Sequence, residues 1–110
     1  MIVLVNVTPD GQVGGGWGRA PRIAVAEVVG GEVTRWEEHD VEWDRLHDDA
    51  GEGGHHARIV RFVREHEGEV VVTGHMGPPM QNTLGKLGVR LVLGATGDAR
   101  AAAVAAVGGG

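Results

Sequence analysis

The sequence predicts one α/β domain built on a mixed, mainly five-stranded sheet with helices packed on its faces. Three observations support this prediction. The chain starts with an apolar segment, two strand-like segments follow around a glycine pair, and the second half alternates strand-like with amphipathic segments. At 110 residues there is room for one hydrophobic core, so we expect a single domain over residues 1–110.

The first half predicts three antiparallel strands. Met1 to Val7 is apolar and β-branched, as in a buried strand. Arg22 to Val29 and Glu32 to His39 flank Gly30-Gly31, a pair typical of tight hairpin turns. Side chains of the third strand alternate, with Val33 and Arg35 on one face and Thr34 and Trp36 on the other. This alternation favours an edge strand with one solvated face.

The second half predicts three helices and two strands, which gives the element order βββαβαβα. The helices begin near His55, Pro79 and Thr96, and Thr96 is the expected N-cap of the last one. The first of them ends near His66, where an imidazolium would interact favourably with the helix dipole. The strands are Glu69 to Thr73 and Val89 to Leu93. The valine-rich strand suits a central position, and right-handed crossovers would pair these strands in parallel.

Several absences limit the function classes. The chain has no cysteine, serine or tyrosine, and Lys86 is its one lysine, so no recognisable activated nucleophile is present and we expect no enzyme activity. A net charge of −5 argues against nucleic-acid binding. No apolar run approaches the roughly 20 residues of a membrane span. The start lacks a basic region and a cleavage site, so we expect a cytoplasmic protein.

The segment from residue 40 to 54 is rich in acidic residues and has no periodicity. Arg45 is the single basic residue among these acids, so most of the net charge lies here. We expect a solvated acidic loop, in preference to a hard-cation or zinc site formed by the acids with His39 and His47.

Short glycine-containing segments recur across the whole chain in a specific order. They are Ile2 to Val7, Gly18-Arg19-Ala20-Pro21, Gly53-Gly54, Val70-Val71-Val72 with Thr73-Gly74, Gly77-Pro78 and Leu87-Gly88-Val89. In this order the sequence resembles the small dinitrogenase iron-molybdenum cofactor biosynthesis domains. The resemblance implies a ribonuclease H-like fold, and binding or carriage of a metal–sulfur cluster or transition-metal cofactor containing molybdenum, iron or copper, without catalysis. Members often carry a histidine before the aromatic residue and the Gly-Arg-Ala loop; here Gly16 precedes Trp17.

The predicted cofactor-binding residues lie on two loops. If the first strand and the valine strand are parallel neighbours, as the resemblance implies, loops 14–19 and 74–77 emerge at one end of the sheet, where ligands usually bind. Trp17 would then supply an apolar wall and Arg19 a positive charge for an anionic cluster. Gly74 and Gly77 would let the backbone approach the ligand. As an alternative, Arg19 is an ordinary surface arginine.

Three histidines are the candidate metal ligands. His75 follows the valine strand, and His55 and His56 lie at the predicted start of a helix near the same end of the sheet. Neutral imidazole ligates copper, zinc and nickel, so these side chains would hold the metal. The alternative for each of them is a polar side chain exposed to solvent.

These residues bear differently on three functional classes. A metal-dependent nuclease needs clustered carboxylates, and the first strand offers Asn6 instead, so this class is rejected. A cofactor-binding protein is favoured, acting as a monomer or weak homodimer and serving a cofactor-assembly or acceptor protein. A regulatory or scaffold domain that binds a protein partner without metal stays open as the alternative.

Overall fold

The computed structural model describes residues 1–46 and 51–108 and, within them, one five-stranded sheet with helices on both faces. The strands are β1 (Ile2–Asn6), β2 (Ile23–Val29), β3 (Glu32–His39), β4 (Val70–Val72) and β5 (Arg90–Val92). Their order across the sheet is β3-β2-β1-β4-β5. The predicted α/β class and mixed sheet are confirmed. The ribonuclease H-like assignment stays a prediction.

Strand directions follow from the lengths of the connections. β1 pairs antiparallel with β2 and β2 with β3, whereas β1, β4 and β5 are parallel. The hairpin turn between β2 and β3 has φ values of 59° at Gly30 and 81° at Gly31, a backbone region that favours glycine. β4 lies between two strands and all three of its valines are buried, which confirms its predicted central position.

The helices cover two separate hydrophobic clusters. They are α1 (Trp43–Leu46), α2 (Gly51–Glu65), α3 (Pro78–Lys86) and α4 (Ala99–Gly108). One face of the sheet packs against α2 and α3 through Ile59, Val63, Met80 and Leu84. The other face packs against α4 through its alanines. This division follows the alternation of side chains along β1, where Leu4 joins the first cluster and its neighbours the second.

The acidic segment 40–54 is only partly a loop. Trp43 is buried, and its backbone N–H donates to the carbonyl of Ala20 at 3.0 Å. The short helix α1 begins at this residue. α2 begins at Gly51, four residues before the predicted start near His55. A prediction from polarity alone missed α1 because one buried tryptophan outweighs its acidic neighbours. The middle of the segment, including His47, lies outside the described residues.

β3 is the predicted edge strand, but its faces differ from the prediction. The register shifts between Glu27 and Val28, which pair with Arg35 and Val33, so Thr34 is an extra residue in a β-bulge. The bulge places Val33 and Trp36 together against the α4 side of the sheet. The assignment of these two side chains to opposite faces was therefore wrong, since strict alternation fails across a bulge.

The N-cap of α4 also differs from the prediction. Asp98, not Thr96, provides it, because the Asp98 carboxylate accepts a 2.9 Å hydrogen bond from the N–H of Ala101.

Candidate cofactor-binding site

Two buried polar side chains end the parallel strands β1 and β4. Asn6 is 1% exposed and Thr73 is fully buried. The amide nitrogen of Asn6 donates to the hydroxyl oxygen of Thr73 and to the carbonyl of Gly16, both at 3.1 Å. Thr73 in turn donates to the carbonyl of Gly15 at 3.0 Å. Because buried polar groups need such partners, this pair fixes the glycine loop (residues 14–16) at the carboxyl end of the sheet.

The glycine loop and the loop after β4 are joined by backbone hydrogen bonds. The N–H of Gly74 donates to the carbonyl of Gly14 at 2.9 Å, and that of His75 to Gly15 at 2.7 Å. The backbone N–H of Trp17 donates to the carbonyl of His75 at 2.9 Å. The structure thus brings together the two loops that the sequence placed at one end of the sheet.

Close approach explains two glycines of these loops, but not a third. A Cβ at Gly14 would lie 2.4 Å from the side-chain oxygen of Asn6. A Cβ at Gly74 would lie 3.1 Å from the carbonyls of Gly14 and Gly15. Gly77, the N-cap of α3, has open space around it apart from a contact at 3.9 Å with Pro79. Gly14 and Gly74 are therefore required by packing between the loops.

A pocket of about 230 Å³ opens beside the glycine loop. Its lining comes from residues 6–9, 14–16 and 19–21. Arg19 is the one charged residue in this lining and its side chain is exposed. The pocket therefore has a positive charge at its rim, although the whole chain carries a net charge of −5.

Backbone donors add to this positive character. Among the hydrogen bonds of the described residues, the N–H groups of Gly15 and Gly16 have no acceptor, and Arg19 has no ion-pair partner. Successive backbone N–H groups beside a guanidinium form the kind of concavity that binds anions. The geometry of this pocket suits an anion better than a cation.

Trp17 does not line an open cleft as predicted. Its side chain is fully buried and its ring centroid lies 5.2 Å from that of Trp43, in an edge-to-face arrangement. The indole nitrogen is buried without a hydrogen-bond partner in the described part of the chain. The prediction that Trp17 forms an apolar wall of the cleft is wrong. Trp43 of α1 packs against the Trp17 ring, and both rings belong to the hydrophobic core.

His55 is buried and both of its ring nitrogens are engaged. Its Nε2 lies 2.6 Å from the carbonyl of Gly18, and its Nδ1 lies 3.0 Å from a guanidinium nitrogen of Arg58. A carbonyl only accepts and an arginine only donates, so this network assigns a neutral imidazole with the proton on Nε2. In this arrangement His55 ties α2 to the segment beside the pocket and presents no lone pair to a metal.

Comparison with known proteins places this chain in a family. The family model described as dinitrogenase iron-molybdenum cofactor matches residues 1–110. The chain belongs to the dinitrogenase iron-molybdenum cofactor family. Membership confirms the resemblance seen in the sequence and implies involvement with the iron–molybdenum cofactor.

A solved structure shares the fold of this family member. It is titled "Crystal structure of PH0822", is 20% identical in sequence and has a TM-score of 0.77. The match covers 99% of this chain and 92% of that chain. No curated protein matches the sequence. In residues 1–46 and 51–108, no helix is long and apolar enough to cross a membrane.

The two other predicted ligand histidines lie on different elements of the fold. His75 is exposed on the loop after β4, and His56 is half-buried on α2. Across the described ranges, no group of three or more histidine, cysteine or acidic side chains is arranged to hold a metal ion. The ligand role of His55, His56 and His75 stays a prediction, and the structure does not assemble them into one site.

Sequence reasoning missed the polar pair that builds the pocket. The sequence analysis noted Asn6 as a missing carboxylate and Thr73 as the end of a strand, both within segments of the family resemblance, but did not predict that the two side chains meet. The available signal was a single polar residue at the end of each of two apolar strands. Such residues are buried with their strands, and they face each other once the strands pair in parallel.

Proposed function

We propose that this chain binds an anionic metal–sulfur cofactor of the iron–molybdenum type as cargo and delivers it to an assembly or acceptor protein. The observation that carries the proposal is the pocket at the end of β1, which groups Arg19 with the N–H groups of Gly15 and Gly16, for which the described residues provide no acceptor. No carboxylate lines this pocket as the structure describes it. An anion entering it therefore meets hydrogen-bond donors and no repulsive charge.

The hydrogen-bond donors of the pocket suit a cluster that already contains sulfide and needs no sulfur ligand from the protein. The chain has no cysteine, so it supplies no thiolate ligand. A sulfide-bridged cluster is anionic, and its sulfur atoms accept hydrogen bonds from backbone N–H groups and a guanidinium. His75, exposed on the loop that hydrogen-bonds to Gly15, is the predicted imidazole ligand best placed to add a metal bond.

Carriage without catalysis is the second part of the proposal. The pocket lining holds neither an imidazole nor a carboxylate, so it offers no residue of the types that most often act as general base. Arg19 is the one charged side chain there, and its guanidinium offers hydrogen-bond donors to an anion. These residues can hold a charged ligand but have no proton to exchange with it.

Tetrathiomolybdate, a soluble molybdenum–sulfur anion, is the probe that tests the proposal. The purified, untagged protein is incubated with it, and the molybdenum retained after gel filtration is measured by mass spectrometry. Arg19→Gln should weaken binding by about tenfold or more, since a charge-assisted hydrogen bond contributes roughly 1.5–3 kcal/mol. Arg61→Gln, which removes an exposed arginine on α2, is the matched control and should leave binding unchanged.

The possible outcomes distinguish an error in the location of the site from an error in the proposed function. Equal losses from Arg19→Gln and Arg61→Gln would show that the anion binds elsewhere, through general charge. Absence of retained molybdenum in the natural protein would contradict cofactor binding and leave the scaffold alternative.

A further inference from the structure

The C-terminal end of α2 contacts the edge strand β3 through three aromatic rings that pack in edge-to-face and tilted arrangements. His39 ends β3, Phe62 lies in the last turn of α2, and His66 directly follows that helix. The ring centroids of His39 and His66 are 4.7 Å apart, and those of Phe62 and His66 are 4.4 Å apart. The centroids of His39 and Phe62 are 5.7 Å apart. We name these three residues the histidine latch.

One proton can be accommodated in the histidine latch. The Nε2 atom of His39 is buried and has no hydrogen-bond partner in the described part of the chain. It lies 3.8 Å from a carboxylate oxygen of Glu37, too far for a hydrogen bond but close enough for attraction between opposite charges. Protonation of His39 therefore converts an unpaired buried nitrogen into the cationic half of an ion pair.

A second proton would go to His66, whose surroundings differ from those of His39. Burial, and next the neighbouring His39, hold the pKa of His66 below its ordinary value of 6.5. Glu65 and Glu37 act in the opposite direction, and Arg35 adds to the lowering. The dipole of α2 was expected to favour an imidazolium here, yet burial and a second imidazole outweigh it. Two imidazolium rings at 4.7 Å repel each other and lose their packing against Phe62.

We propose that the histidine latch is a pH-sensitive contact between α2 and β3. It holds the last turn of α2 on β3 while the two imidazoles together carry at most one proton. It releases that turn when both imidazoles are protonated. Release exposes Phe62 and loosens one end of α2. The other end of this helix carries His55, which is bound to Gly18 beside the pocket. The latch thereby links pH to the position of the helix that is bound to Gly18 beside the pocket, whether or not the proposed cargo is bound.

Amide hydrogen exchange of the intact protein tests this inference. Protection factors, corrected for the intrinsic dependence of exchange on pH, are compared between about pH 7.5 and about pH 5. Amides of residues 62–66 should lose protection at the lower pH, because the last turn of α2 opens more readily once both imidazoles are protonated. Amides of β4 should keep their protection, which separates local release from global unfolding.

Two variants make the test specific. His66→Phe keeps a ring against Phe62 but cannot be protonated, so it should abolish the loss of protection. His56→Phe makes the same replacement on α2 away from the latch and should keep the loss. Unchanged protection at residues 62–66, parallel loss in β4, or an undiminished loss in His66→Phe would each overturn the inference.

Discussion

The polar pair Asn6–Thr73 and the pair His39–His66 both join distant segments, but they differ in how their polar atoms are satisfied. The amide and hydroxyl donate hydrogen bonds to defined acceptors, and both side chains are buried. The imidazoles are held mainly by ring packing, and one buried ring nitrogen has no hydrogen-bond partner among residues 1–46 and 51–108. Neither an amide nor a hydroxyl titrates near neutral pH, whereas an imidazole does. The fold therefore contains one connection independent of pH, at the pocket, and one that responds to it, at the sheet edge.

Removal of the hydrogen-bonded pair should have the largest effect on stability. Asn6→Leu leaves the Thr73 hydroxyl and the Gly16 carbonyl without their buried donor, at a cost of about 2–4 kcal/mol in the free energy of unfolding. Urea unfolding measures this loss. Thr34→Val removes an exposed hydroxyl bonded to Glu27 and should change stability by less than about 0.5 kcal/mol. Similar losses in the two variants would mean that the buried pair has no special role.

Crowding of the same pair from the loop side should have an intermediate effect. Gly14→Ala places a Cβ 2.4 Å from the Asn6 side chain and should cost about 1–3 kcal/mol by forcing that side chain away from its partners. Gly15→Ala is the control one residue along, since its Cβ would meet no atom within 4 Å. If both alanines are tolerated equally well, the glycine loop does not depend on the close approach seen here.

The histidine pair should give the smallest effect, and a pH-dependent one. Because the pKa of His66 is lower in the folded state than its ordinary value of 6.5, the unfolded chain takes up the proton first as the pH falls. The stability conferred by the neutral ring is thus complete above about pH 6.5 and is lost as the pH falls from there through the lower folded-state pKa. Urea midpoints at about pH 7.5 and about pH 5.5 should differ in the natural protein and differ less in His66→Phe.

A second titrating group acts in a separate pH range and does not obscure this measurement. The hydrogen bond from Thr8 lowers the pKa of Asp10 below its ordinary value of 3.8. That carboxylate therefore stays ionised across the range in which His66 titrates. A midpoint that is constant between the two pH values in the natural protein would contradict the assignment of His66 as the responsive group.

Local patterns were sufficient to predict the strands and the hairpin. The runs of valine and isoleucine in β1, β2 and β4 restrict the backbone to the extended region, whichever segment lies beside them. Gly30-Gly31 permits positive φ angles at both turn residues. The Gly18-Arg19-Ala20-Pro21 segment and the other glycine motifs were likewise enough to predict family membership.

Contacts between distant segments decided the details of the candidate site. The sequence marked Trp17 as an accessible wall and His55 as a ligand, but α1 buries the first and Gly18 and Arg58 engage the second. It also gave no sign that Thr34 is the extra residue of a bulge. The burial of a side chain and the partner of a ring nitrogen depend on which remote segment arrives beside it. The backbone preferences of the residue itself do not contain that information, so only the tertiary structure could supply it.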